Sequence, residues 1–479
     1  MQEFDIVIIG AGLSGIGLGA YVSRRFPAKR IAILEARSRS GGTWDLFRYP
    51  GIRSDSDMYT LGYAFKPWTN AKSIADGADI LSYIRETARE YDLESKIRFD
   101  HRVVTARWSS DSKRWLLHCV VNGQTDTIRA RFIFSCTGYY SYSNPFWPKF
   151  ENQADFNGTI IHPQFWPDNL QVAGRNVVVI GSGATAVTIV PAMAQAGASV
   201  TMLQRSPTYV YTLPEQDVGA KRLRKWLPAK LAYAITRWKH ILSSHYSFWL
   251  SRKWPTATKK HIVDQAAAQL PRGYDVDRHF TPRYDPWDER ICAVPDGDIF
   301  REISAGRVNV VTDTIATFEP DGIRLDSGDK LECDMVVVAT GLTLEFMGGI
   351  ELFVDDKPVT PRDLLTYRGM MYSGIPNIMS VFGYTNSSWT LKIDIIGNYL
   401  IRLIDYMDRH GHSSVTPTLN DPSVVAEEFS TLKSGYIQRA VDKFPAQGNK
   451  FPWRLKDNYI LDRIGFATAR IDDGVLRFD

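Results

Sequence analysis

Apolar and polar positions change their period several times along the chain, and each change marks an element. DIVIIG near the start is a short, continuous apolar run of the kind that forms a buried strand, and a glycine turn and a helix follow it. RIAILE predicts a second strand ending on Glu35. The same order of strand, glycine turn, helix and strand returns in NVVVIGSGATAVTIVPAMAQAGASVTMLQRS, residues 176–206. Between Asp100 and Thr137 apolar and polar residues alternate, which predicts a small antiparallel meander laid over the first sheet. Two further strands, FIFSCTG and DMVVVATG, finish on Thr-Gly turns at Gly138 and Gly341, where backbone can pass close to a bound group. From Lys221 to Lys260 the period becomes helical, strands resume at RVNVVTD, and a later helix runs through WTLKIDIIGNYLIRLIDYMDRHG from Trp389.

A chain of 479 residues is expected to hold about three units of ~150 residues, each with its own core. Hydrophobic residues at 44% and charged residues at 23%, with no repeated or low-complexity tract, exclude a disordered protein. The cysteines Cys119, Cys136, Cys292 and Cys333 form no CxxC pair, which suits a reducing compartment and predicts a cytoplasmic protein. The apolar run FDIVIIGAGLSGIGLGAYV is broken by glycines and lacks a basic leader, so it reads as strand and helix rather than signal peptide. No run of ~18 uninterrupted apolar residues predicts a membrane span. A formal charge of +4 is too small to argue for nucleic acid.

Gly10, Gly12 and Gly15 have GxGxxG spacing, and Glu35 follows twenty residues after Gly15 at the end of the second strand. Those glycines let backbone approach a pyrophosphate, the helix N-terminus offers it N–H groups, and the acid accepts from ribose hydroxyls. In the second unit Gly181, Gly183 and Ala186 form GxGxxA, and its last strand carries Gln204 and Arg205 in place of an acid. An acid there would repel a 2′-phosphate, whereas Arg205 with Ser206 holds one, so this site is expected to prefer NADPH. One free-ribose site and one phosphate site imply two cofactors, FAD first and NADPH second. The fold class is therefore α/β, with two Rossmann-like dinucleotide-binding domains.

Two longer motifs narrow the reading. FNGTIIHPQFWP, from Phe156 to Pro167, matches FxGxxxHxxxWP, and GGTWDLFRYPGIRSD, from Gly41 to Asp55, matches [AG]GxWxxxx[FY]P[GM]xxxD. On these motifs the chain resembles the type I Baeyer–Villiger monooxygenases, class B flavoprotein monooxygenases, from Asp5 to the C-terminus. WDLFRYPGIRSDSDMYTLG, YDPWDERICAVPDGD and GYTNSSWTLK look most like the subgroup of the ethionamide-activating monooxygenase. Flavin-containing monooxygenases share the glycine motifs, but their fingerprint ends in Tyr or Phe where this chain has Trp166-Pro167.

The resemblance implies insertion of one oxygen atom of O₂ into ketones to give esters or lactones through a C4a-peroxyflavin, with sulfide or thioamide oxygenation as a side activity. It maps the active-site arginine onto Arg290 and its charge partner onto Asp55. An arginine suits a site that must hold negative charge without acting as an acid. FAD contacts carry over to Ser14, Glu35, Thr43, Trp44, Asp45, Leu46, Asp55 and Val103. NADP contacts carry over to Arg53, Ser54, Gly181, Ser182, Gly183, Ala184, Thr185, Ala186, Val187, Arg205 and Ser206. Gly158, His162 and Trp166 are expected to act in a linker that governs how the domains move, not in the chemistry. Many members have Lys just before the active-site arginine; here Glu289 stands in that place. No metal site is expected, because His410 and His412 lack further ligands, and Ser14 lacks a GxSxG elbow.

The domain division implied is 1–142 with 375–479 for FAD, 143–172 for the linker, 173–215 with 298–374 for NADP, and 216–297 for a helical insertion in the NADP domain. Residues 221–260 hold eleven Lys/Arg and no Asp/Glu, interleaved with Trp226, Tyr233, Trp238, Tyr246, Phe248, Trp249 and Trp254. The reading taken is that the aromatics face the core or line the substrate pocket while the cations are solvated. Peripheral contact with an anionic membrane stays open as the second reading. Small-molecule ketone or sulfide and O₂ are the expected partners. The rival activity is that of a heteroatom-oxidising flavin monooxygenase, and a nucleotide-sensing binding protein is a third reading.

Overall fold

The computed structural model describes residues 1–430 and 432–479. Its first sheet grows around β1 (Gln2–Ile9), which pairs in parallel with β2 (Ile31–Leu34) on one side and with Gln124–Ser135 on the other; Ile8 stands opposite both Ile33 and Phe134. The unbroken runs IVII and IAIL are buried because both faces of these strands are covered. α1 (Leu13–Arg25) makes the crossover. Gly17 and Gly19 let it approach closely, since a Cβ on Gly17 would sit 2.7 Å from the Tyr63 ring.

The meander is present, but it is not laid over this sheet. Gln124–Ser135 is twelve residues long; its first half pairs antiparallel with Arg114–Val121 and its second half runs along β1. One long strand therefore splices the meander edge-on into the parallel sheet. Outside it, Glu351–Val354 pairs in parallel with Thr105–Trp108, so the chain is back in the first sheet by residue 351, earlier than 375.

The second sheet is parallel, in the order Val308–Thr312, Ser199–Gln204, Asn176–Ile180, Met335–Val338, Thr159–Ile161. Part of the expected linker is thus an edge strand of this sheet. Between Leu213 and Cys292 come the helices Val218–Trp226, Ala229–Lys253, Pro255–Ala267 and Val276–Phe280, and Val210–Leu213 pairs with Cys292–Pro295 to close the insertion at its base. The long helix Ala229–Lys253 leans on the first domain. Its buried Arg237 meets Asp394 at 2.6 Å and donates to the carbonyls of Tyr59 and Gly62 at 2.7 Å.

The aromatics of this insertion depart in part from the reading taken. Tyr233 is buried, Phe248 is half-buried and Trp254, though exposed, lines the large cavity, as that reading has it, but Trp226, Trp238, Tyr246 and Trp249 are exposed outside the cavity. A single helix lying over a domain buries only one stripe, and here the small and polar residues Ala232, Thr236 and Arg237 take that stripe.

Candidate active site

A cavity of about 1590 Å³ runs from the glycine turn after β1 past Ala184 and Thr185 to the long insertion helix; Gly181, Ser182, Gly183, Arg205 and Ser206 are not part of its lining. That exceeds the ~300–1,000 Å³ of a site for one small ligand and leaves room for extended nucleotides beside a substrate.

At its first end the residues fit a dinucleotide. A Cβ on Gly10, whose φ is +103°, would fall 2.5 Å from the Cys136 carbonyl oxygen, and one on Gly15 would fall 1.8 Å from that of Gly10. Gly10, Gly12 and Ser14 line the cavity, whereas Gly15 packs helix on turn. Gly12 caps α1 without a side-chain hydrogen bond, so the first N–H groups of the helix are open to an anion. Glu35 is buried, and its two oxygens accept from Ala11 N–H at 2.7 Å and Arg37 N–H at 3.0 Å. Burial raises its pKa against those two donors. Two lone-pair sites remain for ribose hydroxyls.

Thr43, Trp44, Leu46 and Val103 also line the cavity. Asp45, on the same short helix, turns away: it is buried against Arg37 at 2.7 Å and Arg85 at 2.8 Å, so it organises the loop behind the site. Ser14 Oγ accepts from Trp389 Nε1 at 2.7 Å, and the helix Trp389–His410 begins at the cavity wall.

The second glycine turn repeats the geometry. Gly181 has φ +135°, and a Cβ there would lie 2.4 Å from the Ala339 carbonyl oxygen. Gly183 caps the helix Ala184–Gln195 with no side-chain bond; Ala184 and Thr185 face the cavity, while Ala186 and Val187 are buried under the sheet. Ser182 donates to the Ser206 carbonyl at 3.1 Å, which ties the turn to the strand end. Arg205 and Ser206 are exposed there, and Gln204 points inward to the His279 carbonyl at 2.8 Å. Glu289 is near: burial raises its pKa and the Arg205 charge opposes the rise. Arg53 and Ser54 line the cavity too, with Arg53 in a bidentate pair to Asp298.

Between the two turns Arg290 Nη1 donates to Asp55 Oδ2 at 3.3 Å, and both side chains face the cavity. The Arg290 Nε is buried with no partner among the described residues. Burial works against the Arg290 charge, but the phenols of Tyr436 and Tyr139 and the Asp55 carboxylate outweigh it, so its pKa stands well above the ordinary value. Tyr139 stacks on Trp389 at 5.1 Å, linking this cation to the helix beside Ser14.

The linker residues lie outside the cavity. A Cβ on Gly158 would fall 2.6 Å from the Asp334 carbonyl oxygen, so glycine there permits the edge strand to dock. His162 is buried, accepts at Nδ1 from Gln164 N–H at 3.1 Å, and has its pKa lowered by burial. Trp166 packs on the second core. Gln164, not anticipated from sequence, donates to the carbonyls of Ser141 at 3.0 Å and Tyr142 at 2.9 Å. Tyr139, Tyr140 and Tyr436 were missed as well. Tyr139 directly follows the Thr-Gly turn, a usable signal; Tyr436 lies in a stretch without periodicity and carried none. Among the described residues no His, Cys, Asp and Glu group is arranged to hold a metal.

Residues 7–237 match the family described as pyridine nucleotide-disulphide oxidoreductase. The chain is 47% identical over 478 residues to the FAD-containing monooxygenase EthA of Mycobacterium tuberculosis (strain ATCC 25618 / H37Rv), covering 100% of this chain and 98% of the relative. It is 46% identical over 481 residues to the probable FAD-binding monooxygenase AlmA of Acinetobacter baylyi (strain ATCC 33305 / BD413 / ADP1), covering 100% and 96%. Its fold is similar to that of an oxidized steroid monooxygenase bound to NADP, with TM-score 0.78, 21% identity, and coverage of 100% and 99%.

Proposed function

Because the chain belongs to the FAD-containing monooxygenase family that includes EthA and AlmA, we propose that it is a Baeyer–Villiger enzyme that converts ketones to esters or lactones and oxygenates sulfides or thioamides as a side activity. Its cofactors are FAD, held by the β1–α1–β2 unit, and NADPH, held by the second glycine turn with Arg205 and Ser206. Together, when bound, they supply hydride and the activation of O₂.

The Arg290–Asp55 pair carries this reading. Oxygen transfer to a carbonyl builds negative charge on oxygen, and Arg290 is a cation that cannot surrender a proton at working pH. Asp55 holds one edge of the guanidinium at 3.3 Å, and Arg290 and Asp55 both line the cavity. Tyr139 stacks on Trp389 beside this pair, and both line the same cavity. Simple sulfur oxygenation needs no fixed cation, which is why the arginine favours ketone chemistry over the rival heteroatom-oxidising activity.

The test is a panel of linear, cyclic and aryl ketones and sulfides given to the FAD-loaded protein with NADPH, products being identified by mass spectrometry. Ester or lactone from at least one ketone is the expected outcome. Sulfoxide formation with no ester from any ketone would establish the rival instead.

A further inference from the structure

The helix Ala229–Lys253 has two faces of different chemistry. Its inner face anchors through Arg237 and lines the cavity with His240, Ser244 and Ser247. On its outer face Leu231, Ile235, Trp238, Leu242, Tyr246 and Trp249 follow one another at steps of three or four and form one stripe, each between 37% and 60% exposed. At 1.5 Å per residue that stripe is ~27 Å long. Trp226, 85% exposed at the end of Val218–Trp226, extends it. Beside it, Leu461 and Ile464 are exposed on the helix Tyr459–Thr468, whose Tyr459 ring lies 6.4 Å from that of Trp238. Isolated exposed apolar side chains are ordinary; a continuous row of them is not.

The charge left unmatched by salt bridges around the stripe is cationic. Arg237, Lys239, Arg252 and Lys260 are matched by Asp394, Asp217, Asp288 and Asp264. Lys221, Arg222, Lys225 and Lys230 are exposed, and among the described residues no carboxylate pairs with them. Lys253 Nζ sits 4.7 Å from the Trp249 ring and 4.6 Å from that of Trp254, with its head beside the aromatic row. Among the described residues no helix is long and apolar enough to cross a membrane.

We propose that this face docks on an anionic lipid bilayer. The Trp, Tyr and Leu side chains enter the headgroup boundary and the unmatched cations meet lipid phosphates. A single convex helix row with a cationic border suits a laterally uniform surface better than an acidic protein, which would need a shaped groove or register. Because the reverse of the same helix lines the cavity, a docked enzyme draws apolar substrate from the bilayer. The delivery step rests on the ketone reading above; the docking does not.

Flotation of the FAD-loaded full chain with phosphatidylcholine vesicles, and with vesicles of equal phosphatidylcholine and phosphatidylglycerol, tests the proposal. The protein should float with the anionic vesicles only, and less as salt is raised. Trp226→Ser/Leu242→Ser/Trp249→Ser and, separately, Lys221→Glu/Lys225→Glu/Lys230→Glu should each weaken that association more than tenfold while FAD content and NADPH oxidation in free solution stay at wild-type levels. Wild-type protein that stays unbound with anionic vesicles overturns the proposal, as do variants that float like wild type. So does a wild-type dimer that ignores vesicles and becomes monomeric in the Trp226→Ser variant, since the face would then be a protein interface. Absence of ester product would touch the ketone reading alone.

Discussion

At the scale of single residues, Arg290 and Arg205 are two cations with separable duties. Arg290 stands in the cavity with Asp55 at 3.3 Å. Arg290→Ala should keep FAD yet form no detectable ester, because loss of one preorganised donor costs ~10²–10³ in rate and a full charge more. NADPH oxidation that ends as hydrogen peroxide, and part of the sulfide oxidation, should persist. Arg290→Lys should rescue poorly, since an ammonium cannot reproduce the planar fork. Ester formation within a few fold of wild type would remove Arg290 from the mechanism. Arg205 is exposed at the strand end beside Glu289, an acid where a second cation would help. Arg205→Ala should raise KM for NADPH roughly tenfold, equivalent to ~1–2 kcal/mol, with little change for NADH. Equal losses with both coenzymes would reduce Arg205 to a structural role.

Among the elements, those with the most local sequence signal were legible. Glycine spacing between two apolar runs located both nucleotide turns, because a missing Cβ at Gly10 and Gly181 is a requirement local to the turn. The reach of Gln124–Ser135 into two sheets was not legible, since one alternating run looks the same whether it ends a meander or continues past it. The outward aromatics of Ala229–Lys253 escaped for a related reason: an amphipathic period does not say which side faces protein. Nor did the sequence show what fastens the insertion. His240 lies between two helix caps, with Nδ1 3.3 Å from Asp57 and Nε2 2.6 Å from Asp217. Burial lowers its pKa, but hydrogen bonds and charge from Asp57 and Asp217 outweigh that, and the net pKa is raised. A raised histidine contributes stability fully present below its unfolded pKa of ~6.5 and lost as pH climbs through the folded value. His240→Gln should therefore cost about 2 kcal/mol at pH 6 and much less at pH 9, read by chemical denaturation at both. A pH-independent cost would mean that the ring acts only by packing.

At the scale of the whole molecule, the two dinucleotide folds face one cavity. The fingerprint segment joins the two folds. Its strand Thr159–Ile161 is an edge of the second sheet, while Gln164 grips the carbonyls of Ser141 and Tyr142 on the chain leaving the first. His162 supports this grip by accepting from the Gln164 N–H, and burial keeps its ring neutral. None of these side chains reaches the cavity, so on the linker reading they act on rate through the relative placement of the domains. A displacement of about 1 Å between hydride donor and acceptor costs up to ~10²-fold. His162→Ala should accordingly slow flavin reduction by NADPH at least tenfold or so in stopped-flow absorbance, with FAD retention and the near-UV flavin spectrum unchanged. Gln164→Ala, which cuts the grip itself, should give the same phenotype, and the double variant should add little beyond either single change because both act on one contact. Flavin reduction at the wild-type rate in both single variants would show that the fingerprint only completes the second sheet, and that the domains are held in register elsewhere.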